Sequence, residues 1–210
     1  MSEESPIPDS TPFDLAAESI ELRIRWFGVI AGFALVNLVG DEFGPDGAQR
    51  NAPILNAILG IGVLYVAIDS LWSARGRVFL SGWPLGVSLL EAIFIGLLCF
   101  YDYGQDSAFR FYYFLSLVAC AMRYSPAVTY ATFLLHAISL SVLLIAQPTA
   151  TVLSWVIMVV SMGWVTWAST RLTSLLRLAG EQLRQSNEQL ETRIEDRTND
   201  FVIAGAPAKI

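Results

Sequence analysis

The chain has 210 residues, of which 54% are hydrophobic and only 15% are charged, and its formal net charge is −6. Soluble domains carry charge on about a quarter of their residues, so this composition excludes an ordinary water-soluble domain and indicates a protein of the lipid bilayer. The negative charge argues against nucleic acid as a partner. Cys99 and Cys120 both lie in apolar runs, which predicts neither a disulfide framework nor a metal site.

The first 22 residues are acidic, contain early prolines and include no basic residue before Arg23. A secretory signal peptide needs a positively charged start that is followed at once by an apolar run. Residues 1–22 have neither feature. We therefore expect them to form a mobile cytoplasmic tail.

Six apolar stretches follow, and about 20 apolar residues in a helix cross the hydrocarbon core of a bilayer. Because lipid leaves no partner for free backbone groups, runs of this length are expected to be helical. The sequence therefore predicts an all-α polytopic membrane protein whose six-helix transmembrane domain covers residues 23–172. The predicted spans are residues 24–40, 53–72, 83–101, 109–124, 126–146 and 149–172.

Arginine is concentrated in every second connection, and basic residues mark the cytoplasmic loops of membrane proteins. An even number of spans with both termini in the cytoplasm fits this pattern. The residues that define it are Arg23, Arg25, Arg75, Arg77, Arg123, Arg171 and Arg177.

Two ionisable residues lie deep inside predicted spans. At 1.5 Å per residue, Glu91 and His136 lie roughly 12 and 15 Å from the same membrane face. A charge at that depth costs at least about 2.5 kcal/mol, so both side chains should face the bundle interior. We hypothesise that they meet or share a cavity and form a sensing or proton-responsive site. The alternative is structural: Glu91 bonds a neighbouring Ser or Tyr, and His136 is a packed imidazole.

Other polar residues in the spans predict helix-to-helix contacts. Asp69 and Arg123 fall near the same end of their spans, which predicts an ion pair that staples the bundle. Asn37 and Asn56 are expected to cap or cross-link helices. A single histidine is too few ligands for a haem or zinc site, so we predict no cofactor and no metal.

The segment 173–201 changes to a polar helix with a seven-residue apolar repeat, which is typical of a coiled coil. Asn187 on the seam favours a parallel dimer, and Gly180 costs up to about 1 kcal/mol of helix propensity. A short, weak coil results, and a solvated amphipathic helix is the alternative. Residues 202–210 break the repeat and are expected to be unstructured. The predicted seam consists of Leu176, Leu183, Asn187, Leu190 and Ile194.

The stretch LRQSNEQLETRIEDRTNDF resembles the linker L-x-x-x-N-x-x-L-E-x-x-V-x-E-R-T-x-x-L that precedes the dimerisation helix of many bacterial sensor histidine kinases. Asp196 and Phe201 depart from this pattern. The membrane part is similar to the six-span sensor regions of such kinases, with Gln105 and Ala108 as departures. The linker matches are Leu183, Asn187, Leu190, Glu191, Ile194, Arg197 and Thr198; the membrane matches are Glu91, Tyr101, Gly104, Ser107, Phe109, Tyr113 and residues 121–125.

This resemblance implies a signal-input module in the bacterial inner membrane that forms a homodimer and drives a downstream output domain. A histidine kinase is the expected output, and a diguanylate cyclase is the nearest substitute. The chain itself ends in FVIAGAPAKI, and its one histidine lies inside a span. It contains no phosphate-binding glycine motif. We therefore expect no kinase activity from this chain, which would be a fragment or a sensor with a separate partner.

Two other classes of function compete with a sensor. A small transporter or channel with Glu91 in its pathway would predict internal repeats and helix breaks at the midplane, and the sequence has neither pattern. An intramembrane enzyme would need a nucleophile–base pair or clustered metal ligands. One histidine and scattered serines argue against it.

Overall fold

The computed structural model describes residues 12–39, 50–75, 83–147 and 151–204, and every regular element within these ranges is helical. The prediction of an all-helical protein is therefore confirmed. Two short 3-10 helices, Gly104–Asp106 and Ala108–Phe111, connect the third and fourth α-helices. The six α-helices are α1 Pro12–Asn37, α2 Ala52–Ser73, α3 Pro84–Tyr101, α4 Tyr112–Arg123, α5 Pro126–Ala146 and α6 Val152–Ala204.

Four helices in the described ranges are long and apolar enough to cross a membrane: α2, α3, α5 and the part of α6 from Val152 to Ile194. The other two helices differ from them in charge or length. Helix α1 carries Glu21, Arg23 and Arg25. Helix α4 has 12 residues and is therefore about 18 Å long, shorter than a hydrocarbon core of about 30 Å. For α1 and α4, membrane crossing stays a prediction.

The ends of the helical region differ from the predicted boundaries. Helix α1 begins at Pro12, inside the segment 1–22 that we expected to be a tail, and proline is favourable at the first position of a helix. Helix α6 continues to Ala204, so residues 202–204 are helical and not unstructured. The remaining parts of these two predictions, residues 1–11 and 205–210, lie outside the described residues.

Proline marks the starts of three of the long apolar helices. Helices α2, α3 and α5 each have a proline within their first two positions, where its missing N–H would be unpaired in any case. Asn51 caps α2 by accepting a hydrogen bond from the Ile54 amide. These local signals are why the predicted and observed starts agree closely.

Polar contacts tie neighbouring helices at close range. Asn37 and Asn56 exchange two amide hydrogen bonds between α1 and α2, at 2.9 and 3.0 Å. Of the two roles expected for them, capping or cross-linking, the structure shows cross-linking, with each residue as the other's partner. Helices α3 and α5 approach closely at Gly96, where an added Cβ would lie 2.7 Å from Ser139 Oγ. Ser139 also donates to the Ala92 carbonyl.

An ion pair holds the start of the connection between α3 and α4. Arg50 Nε donates to Asp102 Oδ1 at 2.6 Å, and Arg50 Nη1 donates to the Leu35 carbonyl at 2.9 Å. Ser107 Oγ donates to the other carboxylate oxygen of Asp102 at 2.7 Å. We call Arg50, Asp102 and Ser107 the connection clasp. It joins the end of α1, the start of α2 and the end of α3.

Glycine is required at one position of this connection. Gly104 has a φ of +63°, in the left-handed region that side chains disfavour. A Cβ at Gly104 would also fall 1.4 Å from Gln147 Oε1. Gln147, the residue after α5, can therefore pack this closely only because position 104 is glycine.

The chain divides into two compact units, Met1–Thr170 and Arg171–Ile210. The first unit contains α1–α5 and the start of α6, where Met158 and Met162 join the buried core. In the second unit, Arg184 Nε donates to Glu188 Oε1 at 2.9 Å on the helix surface.

Candidate functional site

Arg25 on α1 contacts three acidic side chains from three helices. Its guanidinium lies 2.6 Å from Glu21 Oε1, 2.6 Å from Asp69 Oδ2 and 2.8 Å from Glu91 Oε1. Glu21 lies one turn before Arg25 on the same helix, which is the spacing that allows an ion pair. Asp69 comes from α2 and Glu91 from α3.

A second arginine brings the fourth helix into the same cluster. Arg123, the last residue of α4, donates to Glu21 Oε2 at 2.7 Å. We call Glu21, Arg25, Asp69, Glu91 and Arg123 the charge cluster. All of these side chains are at most 10% exposed except Glu91, which is 22% exposed.

The charge cluster has an excess of acid, since three carboxylates face two guanidinium groups. Asp69 Oδ1 is buried and has no hydrogen-bond partner among the residues that the structure describes. Buried charges are stable only when partnered, and removal of one partner typically costs about 3–5 kcal/mol. The cluster therefore depends strongly on Arg25, which is shared by all three acids.

Ser116 on α4 extends the charge cluster to the histidine of α5. Ser116 Oγ donates to Glu91 Oε2 at 2.6 Å, and His136 Nε2 lies 2.9 Å from Ser116 Oγ. A serine hydroxyl has one proton, and Ser116 gives it to Glu91, so His136 Nε2 carries the proton of the second bond. We call Glu91, Ser116 and His136 the polar relay.

The second ring nitrogen of His136 makes no hydrogen bond to the described residues. Nδ1 is buried and has no hydrogen-bond partner within the described ranges, and the Tyr113 ring lies 5.0 Å from the imidazole, centroid to centroid. Because His136 donates to Ser116, it cannot act as the base that activates a serine nucleophile. Nδ1 is therefore left as a hydrogen-bond acceptor that no described residue uses.

The structure brings the two residues of the predicted sensing site together through Ser116. Sequence reasoning placed Glu91 and His136 at similar depth but did not identify the serine between them or the arginine beside them. The spacing of Glu21 and Arg25 was the available signal for the arginine. It was missed because Glu21 was assigned to the tail.

The structure gives Asp69 and Arg123, predicted as an ion pair, other immediate partners. Asp69 contacts Arg25, and Arg123 contacts Glu21. Both residues belong to the charge cluster, so they stabilise the same group of helices. Arg25 contacts both Asp69 and Glu21. Asp69 and Arg123 are therefore linked through Arg25 and Glu21 and not by a direct ion pair.

The predicted seam residues lie on the surface of the single chain. The four apolar members are 52–65% exposed, and Asn187 is exposed as well. These residues are Leu176, Leu183, Leu190 and Ile194. The apolar stripe in a polar helix is therefore available to a partner.

An apolar cavity of about 320 Å³ adjoins the charge cluster between α1, α2, α3 and α4. Arg25, Glu91 and Ser116 contribute to its lining. Within the described residues, no group of three His, Cys, Asp or Glu side chains is arranged to hold a metal ion.

No protein-family model matches the chain, and neither a curated protein nor a solved structure matches it. The geometry of the charge cluster and of α6 is therefore the basis on which a function can be proposed.

Proposed function

We propose that this protein is the membrane-embedded signal-input module of a bacterial signalling system. Six spans in the inner membrane, with both termini in the cytoplasm, form the sensor. The last helix pairs with its counterpart in a second copy and passes a conformational change to a dimeric output domain. A two-component histidine kinase is the proposed output.

The observation that carries this proposal is the continuity of α6. One helix, Val152–Ala204, contains both an apolar stretch that can cross a membrane and the seven-residue repeat. A rotation or shift of such a helix within the bilayer changes which residues meet on the repeat, because helix shifts between discrete packings are a common switching motion. No proline interrupts this helix.

The polar relay and the charge cluster support a switch in the sensor. Asp69 Oδ1 and His136 Nδ1 are buried without a hydrogen-bond partner in the described part of the chain. Each such atom costs about 1–3 kcal/mol. An arrangement of the helices that gives one of these atoms a partner is therefore close in energy to the observed arrangement. A proton or ligand that supplies the missing partner changes the populations of the two arrangements.

The exposed seam supports pairing of α6. Burial of a leucine side chain contributes about 1.5–3 kcal/mol, and Leu183 and Leu190 are 65% and 52% exposed in one chain. Asn187 between them favours a parallel pair. A weak, parallel pair can change its packing in response to a small input.

A fusion to an output domain tests this function. The chain is joined after Asp200 to the catalytic core of a histidine kinase that lacks its own sensor, and autophosphorylation is measured in membrane vesicles. We expect Glu91→Gln, His136→Gln and Ser116→Ala to change the output severalfold, because each breaks the polar relay. Arg23→Gln, on the exposed side of α1, is the matched control and should leave it unchanged.

Equal output from the wild type and all three relay variants would contradict the proposal, provided that the variants insert and fold. Folding is checked by thermal unfolding in detergent. A change with Arg23→Gln of the same size would also contradict it, since the effect would then not depend on the relay.

A further inference from the structure

The cavity beside the charge cluster has walls of aliphatic and aromatic side chains. Val29, Ile58, Phe94 and Leu115 come from the four helices that enclose it, α1 to α4. Its volume of about 320 Å³ is within the range of small-molecule sites, which are mostly apolar with a few placed polar groups. Arg25, Glu91 and Ser116 supply these polar groups.

The cavity reaches the apolar outer surface between α2 and α3. Ile61 on α2 and Ile93 and Leu97 on α3 line it, and the same side chains are 67%, 50% and 41% exposed. Both helices are long and apolar enough to cross a membrane. An occupant would therefore enter sideways from the hydrocarbon of the bilayer and not from water.

Gly28 keeps space open on the α1 wall. A Cβ at this position would lie 3.8 Å from Tyr112 Cε2, an ordinary contact distance, so the backbone leaves room there for a methyl group without a clash. Tyr112 Oη donates to the Gly28 carbonyl at 2.7 Å, which holds the opposite wall in place. This hydrogen bond ties α1 to α4, two of the four helices that border the cavity.

The size of the cavity limits its occupant. An apolar cavity of about 150 Å³ accepts one benzene molecule. A volume about twice as large corresponds to roughly a dozen non-hydrogen atoms.

The polar end of the cavity limits the chemistry of the occupant. Arg25 already directs its donors at carboxylates, and the charge cluster has more acid than base. An anion is repelled there, and a cation would lose its hydration among apolar walls. A neutral hydroxyl can donate to Glu91 and meets neither penalty.

We propose that this cavity binds a lipid-soluble small molecule of about a dozen non-hydrogen atoms that is apolar except for one hydroxyl, which donates to Glu91. The inference deepens the proposed sensing function by naming the class of stimulus, and it rests on that function only for the consequence of binding. Occupancy changes the partners of Glu91, which belongs to both the charge cluster and the polar relay.

Photolabelling tests the site without any output domain. The full chain is reconstituted in phosphatidylcholine vesicles and labelled with an alkyl-diazirine derivative of benzyl alcohol, which has about a dozen non-hydrogen atoms. Unlabelled para-biphenylmethanol and para-methylbiphenyl, which differ by one hydroxyl, serve as competitors. We expect saturable labelling of peptides that contain Tyr65 or Tyr112, with the alcohol competing about tenfold better or more.

Two variants that fill the cavity are compared with a matched control. Gly28→Leu and Ala119→Leu place a side chain into the lining and should abolish saturable labelling. Gly60→Leu makes the same change as the first variant in open space, where a Cβ would meet nothing within 4 Å, and should leave it intact. If one filling variant does not fold, the other still decides.

Three results would overturn the proposal: labelling that does not saturate, equal competition by the hydrocarbon, or undiminished labelling in a folded filling variant. Equal competition would mean that the cavity does not recognise the hydroxyl. Since binding is measured directly, these failures are distinguishable from failure of the signalling proposal, which depends on kinase output.

Discussion

The connection clasp and the charge cluster use the same chemistry with different balance. In the clasp, one arginine meets one aspartate, and both oxygens of Asp102 are bonded, to Arg50 and to Ser107. In the cluster, two arginines meet three acids, and Asp69 Oδ1 is left without a partner among the described residues. A matched pair holds one geometry, whereas an unmatched group can gain from rearrangement. We therefore expect the clasp to hold one arrangement and the charge cluster to have alternative arrangements closer in energy.

Removal of the arginine that the three acids share should have the largest effect. Arg25→Met leaves Glu21, Asp69 and Glu91 close together, and loss of one partner of a buried pair costs about 3–5 kcal/mol. We expect a reduction at the upper end of this range in the free energy of unfolding, measured by thermal unfolding in detergent micelles. Arg23→Met, on an exposed position of the same helix, is the control. If Arg25→Met is as stable as this control, the claim that the charge cluster stabilises the bundle through Arg25 is contradicted.

A double replacement should separate the two charged groups. Asp102→Leu alone removes the carboxylate that faces the buried Arg50 and should cost about 3 kcal/mol, but Arg50→Met with Asp102→Leu should recover most of that loss. The equivalent pair Arg25→Met with Asp69→Leu should recover little, because Glu21 and Glu91 remain.

The measurement for this prediction is a double-mutant cycle of unfolding free energies. Similar recovery at both places would show that the excess of acid in the charge cluster has no energetic consequence, contrary to the contrast drawn above.

Loss of the serine in the polar relay should have a smaller effect. Ser116→Ala removes a hydrogen bond to Glu91 and one from His136, and an unsatisfied buried group costs about 1–3 kcal/mol. Ser154→Ala on half-buried α6 surface is the matched control and should change the unfolding free energy by less. Equal effects of the two substitutions would mean that the relay does not stabilise the bundle.

The smallest effect is expected on the surface of the second unit. Arg184 and Glu188 are 82% and 60% exposed, and exposed pairs one turn apart contribute about 0.3–0.5 kcal/mol. Glu188→Gln should lower the helix content of a peptide of residues 171–204, measured by circular dichroism, only slightly and less at high salt. A large, salt-independent loss would contradict this.

Much of the fold could be predicted from local signals. Apolar runs and proline at the first turn predicted α2, α3 and α5 to within a few residues. Asn37 and Asn56 were each expected to cap or cross-link helices, but their pairing with each other was not predicted. The start of α1 was not predicted, because the acidic composition of residues 1–22 indicated a tail. Glu21 and Arg25 in this helix are stabilised by residues from other helices. Local patterns contain no information on such partners.

The candidate site shows the same division. Helical rise was sufficient to place Glu91 and His136 at similar depth, since depth depends only on residue count. The serine between them, and the sharing of Arg25 between Asp69 and Glu91, depend on how each helix is rotated in the bundle. That rotation is a property of packing and not of spacing along the chain.

Disulfide cross-linking on α6 tests the central claim most directly, namely that the polar core controls pairing of the last helix. Leu183→Cys on the seam and Gln185→Cys on the opposite face are compared in membranes, each with and without Glu91→Gln, in a chain whose native cysteines are replaced by alanine. The account predicts covalent dimers at position 183, few at 185, and a changed dimer fraction at 183 when Glu91 is replaced. No dimer at position 183, or a dimer fraction that Glu91→Gln leaves unchanged, would contradict it.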